Sequence, residues 1–254
     1  MIALIDADTI YYRAAYKLNK KEVRRAIDMK MREIEGHLLM PRMMVAVKGK
    51  GNFRKDLYPD YKRQRVVKEE IKPYLAYGHE HLVNKYDAVM ADGMEADDLV
   101  SMWARECRDN GDEYTVVGID KDLLQIPGRH LNFSRMEDQY VSDDSAHYNL
   151  MLQCLTGDTS DNIPGIKGIG PVKAAKILSG IHKSRRWLRV RASWKFTSSG
   201  SPDLSYRLLK MLETHEEYED VMSQIQSKTP KREQNVQPKR EDDIQESGIS
   251  GLSE

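Results

Sequence analysis

Four groups of carboxylates stand out in the sequence: Asp6 with Asp8; Glu95, Asp97 and Asp98; Asp120 with Asp122; Asp158 with Asp161. Each falls at the end of an apolar run, at the start of a helical pattern or in a glycine-rich loop. Taken singly, each has an ordinary explanation. Asp6 and Asp8 could form a turn, Glu95, Asp97 and Asp98 could favour the positive end of a helix, and Asp158 and Asp161 could cap turns. A further pair, Asp143 and Asp144, reads as a helix cap and no more. The joint pattern says more. Carboxylates gathered at one place repel and raise one another's pKa, a conflict that divalent cations remove. Oxygen donors without histidine or cysteine suit Mg²⁺ or Mn²⁺ better than zinc. Two such ions ~3.5–4 Å apart polarise a phosphoryl oxygen, generate hydroxide and stabilise the leaving oxygen. The chemistry implied is phosphodiester hydrolysis.

Two further segments carry matching signals. Residues 42 to 68 hold nine basic residues against two acids, Asp56 and Asp60. Phe53, Tyr58 and Tyr61 are interleaved with the cations, a composition suited to stacking bases beside a phosphate chain, although a solvated charged face has the same composition. The stretch GDTSDNIPGIKGIGPVKAAKIL then reads as two tight turns leading into a helix. Gly165, Gly168 and Gly170 allow positive φ and close approach of a phosphate. Backbone N–H groups at the following helix start can bind that phosphate, with Lys167 and Lys173 adding charge. This helix-hairpin-helix-like pattern grips a duplex without reading its bases.

The elements that must position these groups are legible in outline. IALID, MMVAV and YTVVGI are apolar runs that read as buried strands, two of them followed or ended by acids. KEVRRAIDMKMREIEGHLL has Val23, Ile27, Ile34 and Leu38 at helical spacing, with Pro41 beyond as a stop. GMEADDLVSMWARECRDNG places Ala96, Leu99, Val100, Trp103, Ala104 and Cys107 on one stripe, closed by Gly111. Strands alternating with helices predict an α/β domain with a mostly parallel sheet, whose ligands sit beyond the carboxyl ends of the strands. Asp6 and Asp120 belong there. Beyond residue 178, RRWLRVRASWKF and LSYRLLKMLE read as further helices, and from about Lys228 the polar, proline-containing tail reads as disordered. No internal repeat is present.

The totals set bounds. The 254 residues predict one or two domains, and 40% hydrophobic residues supply a sizeable core. Forty basic residues balance forty acidic ones, which argues against indiscriminate electrostatic binding but leaves local patches open. Two cysteines, Cys107 and Cys154, cannot build a disulfide scaffold and read as thiols of a reducing compartment. The N-terminus has no basic n-region and no apolar run approaches ~18 residues, so neither a signal peptide nor a membrane span is expected. The expected location is the cytoplasm.

In order, LIDADTIYYRAA, NFRKDLYPDYKRQR, EADDLV, GIDKDLLQI and GDTSDNIPGIKGIGPVKAAKIL resemble the motifs of the 5′ nucleases: phage 5′–3′ exonucleases, flap endonucleases and the 5′-nuclease domain of bacterial DNA polymerase I. The resemblance covers roughly residues 1 to 180 and is nearest to the free-standing phage exonucleases, which act in the bacterial host cell. It implies a PIN-like α/β fold with a mostly parallel sheet flanked by helices, a helical arch over the active site and a helix-3-turn-helix clamp on DNA. The implied division is a nuclease core over 1–140, with the arch or gateway at 41–77. A helical DNA-binding subdomain follows over 141–227, its clamp at 155–178, and then a tail over 228–254. The implied metal-site acids are Asp6, Glu95, Asp97, Asp98, Asp120, Asp122, Asp158 and Asp161, holding two Mg²⁺ or Mn²⁺ ions. Lys62 and Arg65 would act on the scissile phosphate. Arg54, Arg63 and the clamp residues Gly165, Lys167, Gly168, Gly170 and Lys173 would contact DNA, with K⁺ held by clamp carbonyls. The implied reaction is metal-dependent cleavage of DNA near 5′ ends, as exonuclease or flap endonuclease, with RNA in hybrids and replication proteins as further partners of a monomer. One departure is visible. Relatives carry an aspartate just after the second strand, and here no acid occurs between Pro41 and Asp56. Asp8 is the available substitute, and a higher metal requirement or a preference for Mn²⁺ follows. The competing readings are a branched-DNA-binding protein with weakened chemistry and a PIN-type ribonuclease.

Overall fold

In the computed structural model, which describes residues 1–195 and 200–228, a six-stranded sheet runs in the order β3-β2-β1-β4-β5-β6. The chain lays down β1 (Ile2–Asp6), α1 (Asp8–Ala15), α2 (Lys20–His37), β2 (Arg42–Lys48), α3 (Phe53–Leu57), α4 (Lys72–Tyr86), β3 (Val89–Ala91), α5 (Ala96–Asn110), β4 (Tyr114–Gly118), β5 (Gly128–Asn132) and β6 (Glu137–Val141). All neighbours pair in parallel except β6, which runs antiparallel to β5. The second half adds α6 (Asp143–Thr156), β7 (Gly157–Asp158), β8 (Ile163–Pro164), α7 (Pro171–Leu178), α8 (Lys183–Trp194), α9 (Pro202–Leu209) and α10 (His215–Lys228). From residue 229 on, the expected tail lies outside the described residues.

The period of two along β1 sorts its side chains between two cores. Ala3 and Ile5 join Val23, Ile27 and Ile34 of α2 and Leu82 of α4 on one face. Leu4 joins Ala96, Val100, Ala104 and Cys107 of α5 on the other. Buried on both faces, the strand reads as an unbroken apolar run, as central parallel strands do. Helix α2 starts at Asn19, whose side chain accepts from the N–H groups of Lys21 (3.0 Å) and Glu22 (3.2 Å). Helix α5 starts on a capping box between Glu95 and Asp98 and stops at Gly111, which takes the left-handed conformation at φ 74°. From β1 the chain winds outward through β2 to β3, then returns to the other side of β1 as β4. That reversal opens a crevice beyond the carboxyl ends of β1 and β4.

A third core binds α6 to α9 around Met151, Cys154, Leu155, Val190 and Trp194, with Tyr61 buried among them. Helix α10 turns back to the nuclease side, where Tyr218, Val221, Met222 and Ile225 pack around Phe53, Met94 and Leu212. The helices expected beyond residue 178 are α8 and α9; α4 and the full extents of α6 and α10 were not anticipated. No helix among the described residues is long and apolar enough to cross a membrane.

The arch expected over 41–77 takes a different form. Between β2 and α4 the described chain has only the five-residue α3, a run of turns over 58–64 and one 3₁₀ turn at Glu69–Ile71. Phe53 is 1% exposed and Tyr61 3%. Burying these rings folds the segment down against the body, so they are core and not stacking platforms for bases.

Arg54, expected to contact DNA, is also buried, at 2% exposure. Its Nη1 and Nη2 donate to Asp98 at 2.5 and 2.8 Å, its Nε to the Leu208 carbonyl at 2.8 Å and Nη2 again to the Lys210 carbonyl at 3.0 Å. Asp98 in turn accepts from the N–H of Leu212 at 3.0 Å and of Glu95 at 3.1 Å. The pair joins α3, the start of α5 and the strand-like link between α9 and α10. A guanidinium with these partners has no donors to spare for a phosphate, and a carboxylate so saturated has little left for a metal. Replacing Arg54 by Met leaves Asp98 buried without its counter-charge. Urea denaturation should show a loss of about 3–5 kcal/mol; a loss under about 1 kcal/mol would mean the pair is not the structural joint described.

Candidate active site

The crevice beyond β1 and β4 gathers the remaining acids. Asp6 ends β1 and is 7% exposed; its Oδ1 accepts from the Asp8 N–H at 3.1 Å. Asp8 opens α1, and its Oδ1 accepts from the N–H of Lys48, the last residue of β2, at 2.8 Å. Asp8 therefore stands at the end of the strand after which the sequence lacks an acid. Glu95 and Asp97 come from the N-terminus of α5, and Asp120 and Asp122 from the turn after β4. Asp158 and Asp161 come from the β7–β8 hairpin and are both buried.

These groups lie in one another's fields. Burial, with Asp8 next and then Asp120 and Glu95 adding repulsion, pushes Asp6 up to about 8. Asp8 is raised by burial and by Glu95. Asp97 is raised by burial and by Asp98 and Glu95. Burial, Asp120 and Asp158 bring Asp122 up to about 6. The repulsion anticipated from the sequence is thus present, on both sides of the β1–β4 crevice.

Cations offset part of it. The turn after α3 carries Lys62, whose backbone adopts φ 54° and donates to the Asp161 carbonyl at 2.9 Å. Its ammonium bonds the Glu95 carboxylate and lies 3.4 Å from Asp161. Arg65 bonds the other oxygen of Asp161. Tyr61 donates to Glu95 at 2.6 Å and to Asp161 at 3.2 Å. Burial alone would raise Glu95, but Lys62 and Arg54 outweigh it and hold its pKa below the usual range. Asp158 likewise is lowered against its burial by Lys121, at 2.8 Å, and by Ser160. Gln153 of α6 donates to Asp122. As the side chains stand, no three carboxylates among the described residues come close enough to hold one ion; Lys62, Arg65 and Lys121 lie between them. The donor set still fits a hard divalent cation: it is all oxygen, it is strained by like charge, and its counter-charges sit on long side chains that can swing away.

The other residues singled out by sequence divide. Arg63 is exposed and pairs with Asp60 at 2.9 Å. Gly168 is left-handed at φ 79° and open to solvent, Gly170 precedes α7, and Lys167 and Lys173 are exposed on the same turn. Lys173 donates to the Gly168 carbonyl at 2.9 Å. Gly165 departs from the phosphate-contact role: a Cβ there would lie 2.1 Å from the Thr156 carbonyl carbon and 2.4 Å from the Gly157 nitrogen. Its smallness lets β7 and β8 pair. Sequence reasoning missed Tyr61 and Gln153 as partners of the acids. Lys121 was readable, since it lies between Asp120 and Asp122.

A testable consequence concerns pH. Asp6 ordinarily titrates at 3.8 and in the fold at about 8, so the fold favours its proton. That stabilisation is present in full below the ordinary value and is lost as the pH rises to the folded one. In EDTA, urea denaturation between about pH 5 and about pH 8 should show the chain losing stability more steeply than Asp6→Asn. At the upper end the variant should be the more stable by on the order of 2 kcal/mol. Parallel curves would contradict the assignment.

Comparison with known proteins agrees with this geometry. Residues 1–149 match the family model described as 5′-3′ exonuclease, N-terminal resolvase-like domain. The chain is 36% identical over 138 residues to DNA polymerase I of Rhizobium leguminosarum, half of this chain and 14% of that protein. It is 33% identical over 139 residues to the flap endonuclease Xni of Shewanella oneidensis, half of this chain and 52% of that one. The match thus spans about half or less of these relatives. Among solved structures, the bacteriophage T5 flap endonuclease in a pseudo-enzyme–product complex with DNA and metal ions superposes with a TM-score of 0.65 at 17% identity, over 89% of this chain and 98% of that one. The T5 5′-exonuclease with bound zinc gives the same score, identity and coverage. These likenesses show the fold, a mostly parallel PIN-like sheet flanked by helices. With the family model covering more than half of its length, the chain belongs to the 5′–3′ exonuclease family.

Proposed function

We propose that this chain hydrolyses DNA phosphodiesters at or near 5′ ends, as a metal-dependent 5′–3′ exonuclease that also cuts flaps. The observation that carries this reading is the meeting of acids from β1, α1, α5, the β4 turn and the β7–β8 hairpin against the cations of the 62–65 turn. The residues that would hold Mg²⁺, with Mn²⁺ as substitute, are Asp6, Asp8, Glu95 and Asp97 on one side and Asp120, Asp122, Asp158 and Asp161 on the other. Asp98 is left out because Arg54 and two backbone N–H groups use its oxygens. Bound cations would polarise the phosphoryl oxygen and render a water acidic enough to attack it.

The chain's own part is positioning and charge. With Glu95 and Asp161 neutralised, Lys62 and Arg65 are free to donate to the phosphate oxygens as charge develops there. Tyr61, fixed between the same two acids, keeps them oriented. The turn at 166–170 presents backbone N–H groups and the start of α7 to the duplex backbone, with Lys167 and Lys173 beside it. The Gly168 carbonyl, now capped by Lys173, is a place for K⁺. The free 5′ strand would lie along the folded 58–65 turn, in the absence of a tall arch. Cleavage of RNA in hybrids, and work in phage DNA replication inside a bacterial host, are within the same reading.

The test uses 5′-labelled flap and nicked duplexes with Mg²⁺, Mn²⁺ or EDTA. Short 5′ products should appear only with metal and fall by about 10²-fold or more in Asp97→Ala and in Lys62→Ala. Tight binding of the flap with no cleavage in either metal would overturn the hydrolase reading in favour of a branched-DNA-binding protein. Preferential cutting of single-stranded RNA would favour a PIN-type ribonuclease.

A further inference from the structure

Away from the acids, α6, α8 and α9 enclose a second cavity of about 410 Å³, lined by His147, Met151, Trp187, Asp203, Tyr206 and Arg207. That volume falls in the range of small-molecule sites. His147 lies six residues before Gln153 on α6, about 9 Å nearer the helix start, so the cavity is separate from the carboxylate crevice. Three observations bear on what it takes.

Its wall is aromatic on one side: the rings of Trp187 and Tyr206 pack with centroids 4.9 Å apart and planes tilted at 49°, leaving Trp187 half-buried. Two buried nitrogens in the lining, His147 Nδ1 and Arg207 Nη2, have no hydrogen-bond partner. An unused guanidinium donor is matched by a phosphate oxygen more fully than by a neutral acceptor. Around the mouth, α8 carries Lys183, Arg185, Arg186, Arg189 and Arg191 and no acid between Lys183 and Trp194. Of these, Arg186 is committed to Asp144 at 2.7 Å, and Arg191 lies 4.0 Å from Asp203. Lys183 and Arg185 remain exposed to attract a polyanion. Asp203 makes the pocket a poor one for a bare anion, yet its carboxylate can accept from an exocyclic amine. Burial and the neighbouring Arg186 and Lys183 lower the pKa of His147, which keeps the ring neutral and able to offer one donor or one acceptor.

We infer that this cavity binds a nucleoside monophosphate unit, the base against Trp187 and Tyr206 and the phosphate on Arg207. The unit is either a free mononucleotide or the end of a single strand. The site does not depend on the carboxylate chemistry, because its residues share no contact with the acids.

Equilibrium dialysis of the full chain in EDTA tests it, with 5′-dAMP and a 5′-phosphorylated oligo(dA) as probes and deoxyadenosine and inorganic phosphate as controls. Saturable binding of dAMP identifies the free nucleotide as a ligand, and saturable binding of the oligonucleotide alone identifies the strand end; either supports the site. Trp187→Leu and Arg207→Met should each weaken binding by at least about fivefold, while Trp187→Phe, which keeps a π-face and guards against a folding defect, should retain it. Absence of saturation with both probes would overturn the inference. So would affinity unchanged in Trp187→Leu and Arg207→Met, equal loss in Trp187→Phe and Trp187→Leu, or inorganic phosphate competing as well as dAMP.

Discussion

The buried pair between Arg54 and Asp98 is the joint on which the site is built. It brings together segments 44 and more than 100 residues apart in sequence. Removing two charges from water is costly, and a well-packed apolar pair can be as stable. What the pair adds is direction. Because each polar atom is satisfied by a particular backbone group, α3 can dock in one way only. That docking places Tyr61 and Lys62 over Glu95 and Asp161, and it ties the link before α10 to the start of α5. An Arg on a basic segment and an Asp among acids, which look like ligands when read as a string, are here the frame for ligands.

The second constraint is the crowding of carboxylates at the reversal point of the sheet. A parallel sheet needs its strand ends free of side-chain bulk to form a crevice, and acids placed there face low dielectric and one another. The fold answers in two ways. Asp6, Asp8, Asp97 and Asp122 have raised pKa values and hold protons more readily. Glu95 and Asp158 are held ionised by Lys62 and Lys121. A crevice that balances protons, ammonium groups and carboxylates in this manner is poised to exchange its cations, which is what a site for a hard metal ion and a charged backbone requires.

Much of this was legible in the sequence, for physical reasons. β1, β2 and β4 are apolar runs because both their faces are covered, and α2 and α5 carry long stripes with clear caps. The acids of the crevice were readable because they sit at the ends of those elements. β3 was not: it has three residues, two of them exposed, so no period can show. α4 was hidden by its mixture of His, Tyr and Lys, and the 58–65 turn by its charge, which gives no sign that Phe53 and Tyr61 are core. Partner choice was the least legible feature. Nothing in the composition of residues 42 to 68 separates Arg54, which is buried against Asp98, from Lys62, which reaches the crevice. The tight backbone contact between Gly157 and Gly165 left no signal beyond the glycines themselves, and so Gly165 read as a phosphate contact.

The account's central claim is that the crevice acids hold divalent cations. Electron paramagnetic resonance counts free Mn²⁺ directly during a titration of the full chain without DNA, and needs no turnover. The account predicts saturable uptake of Mn²⁺ near neutral pH that Mg²⁺ competes away, that weakens sharply in a chain carrying Asp6→Asn with Asp120→Asn, and that strengthens when Lys62→Ala removes the resident ammonium. Free Mn²⁺ that rises in step with total Mn²⁺ throughout, or uptake indifferent to those substitutions, would contradict it.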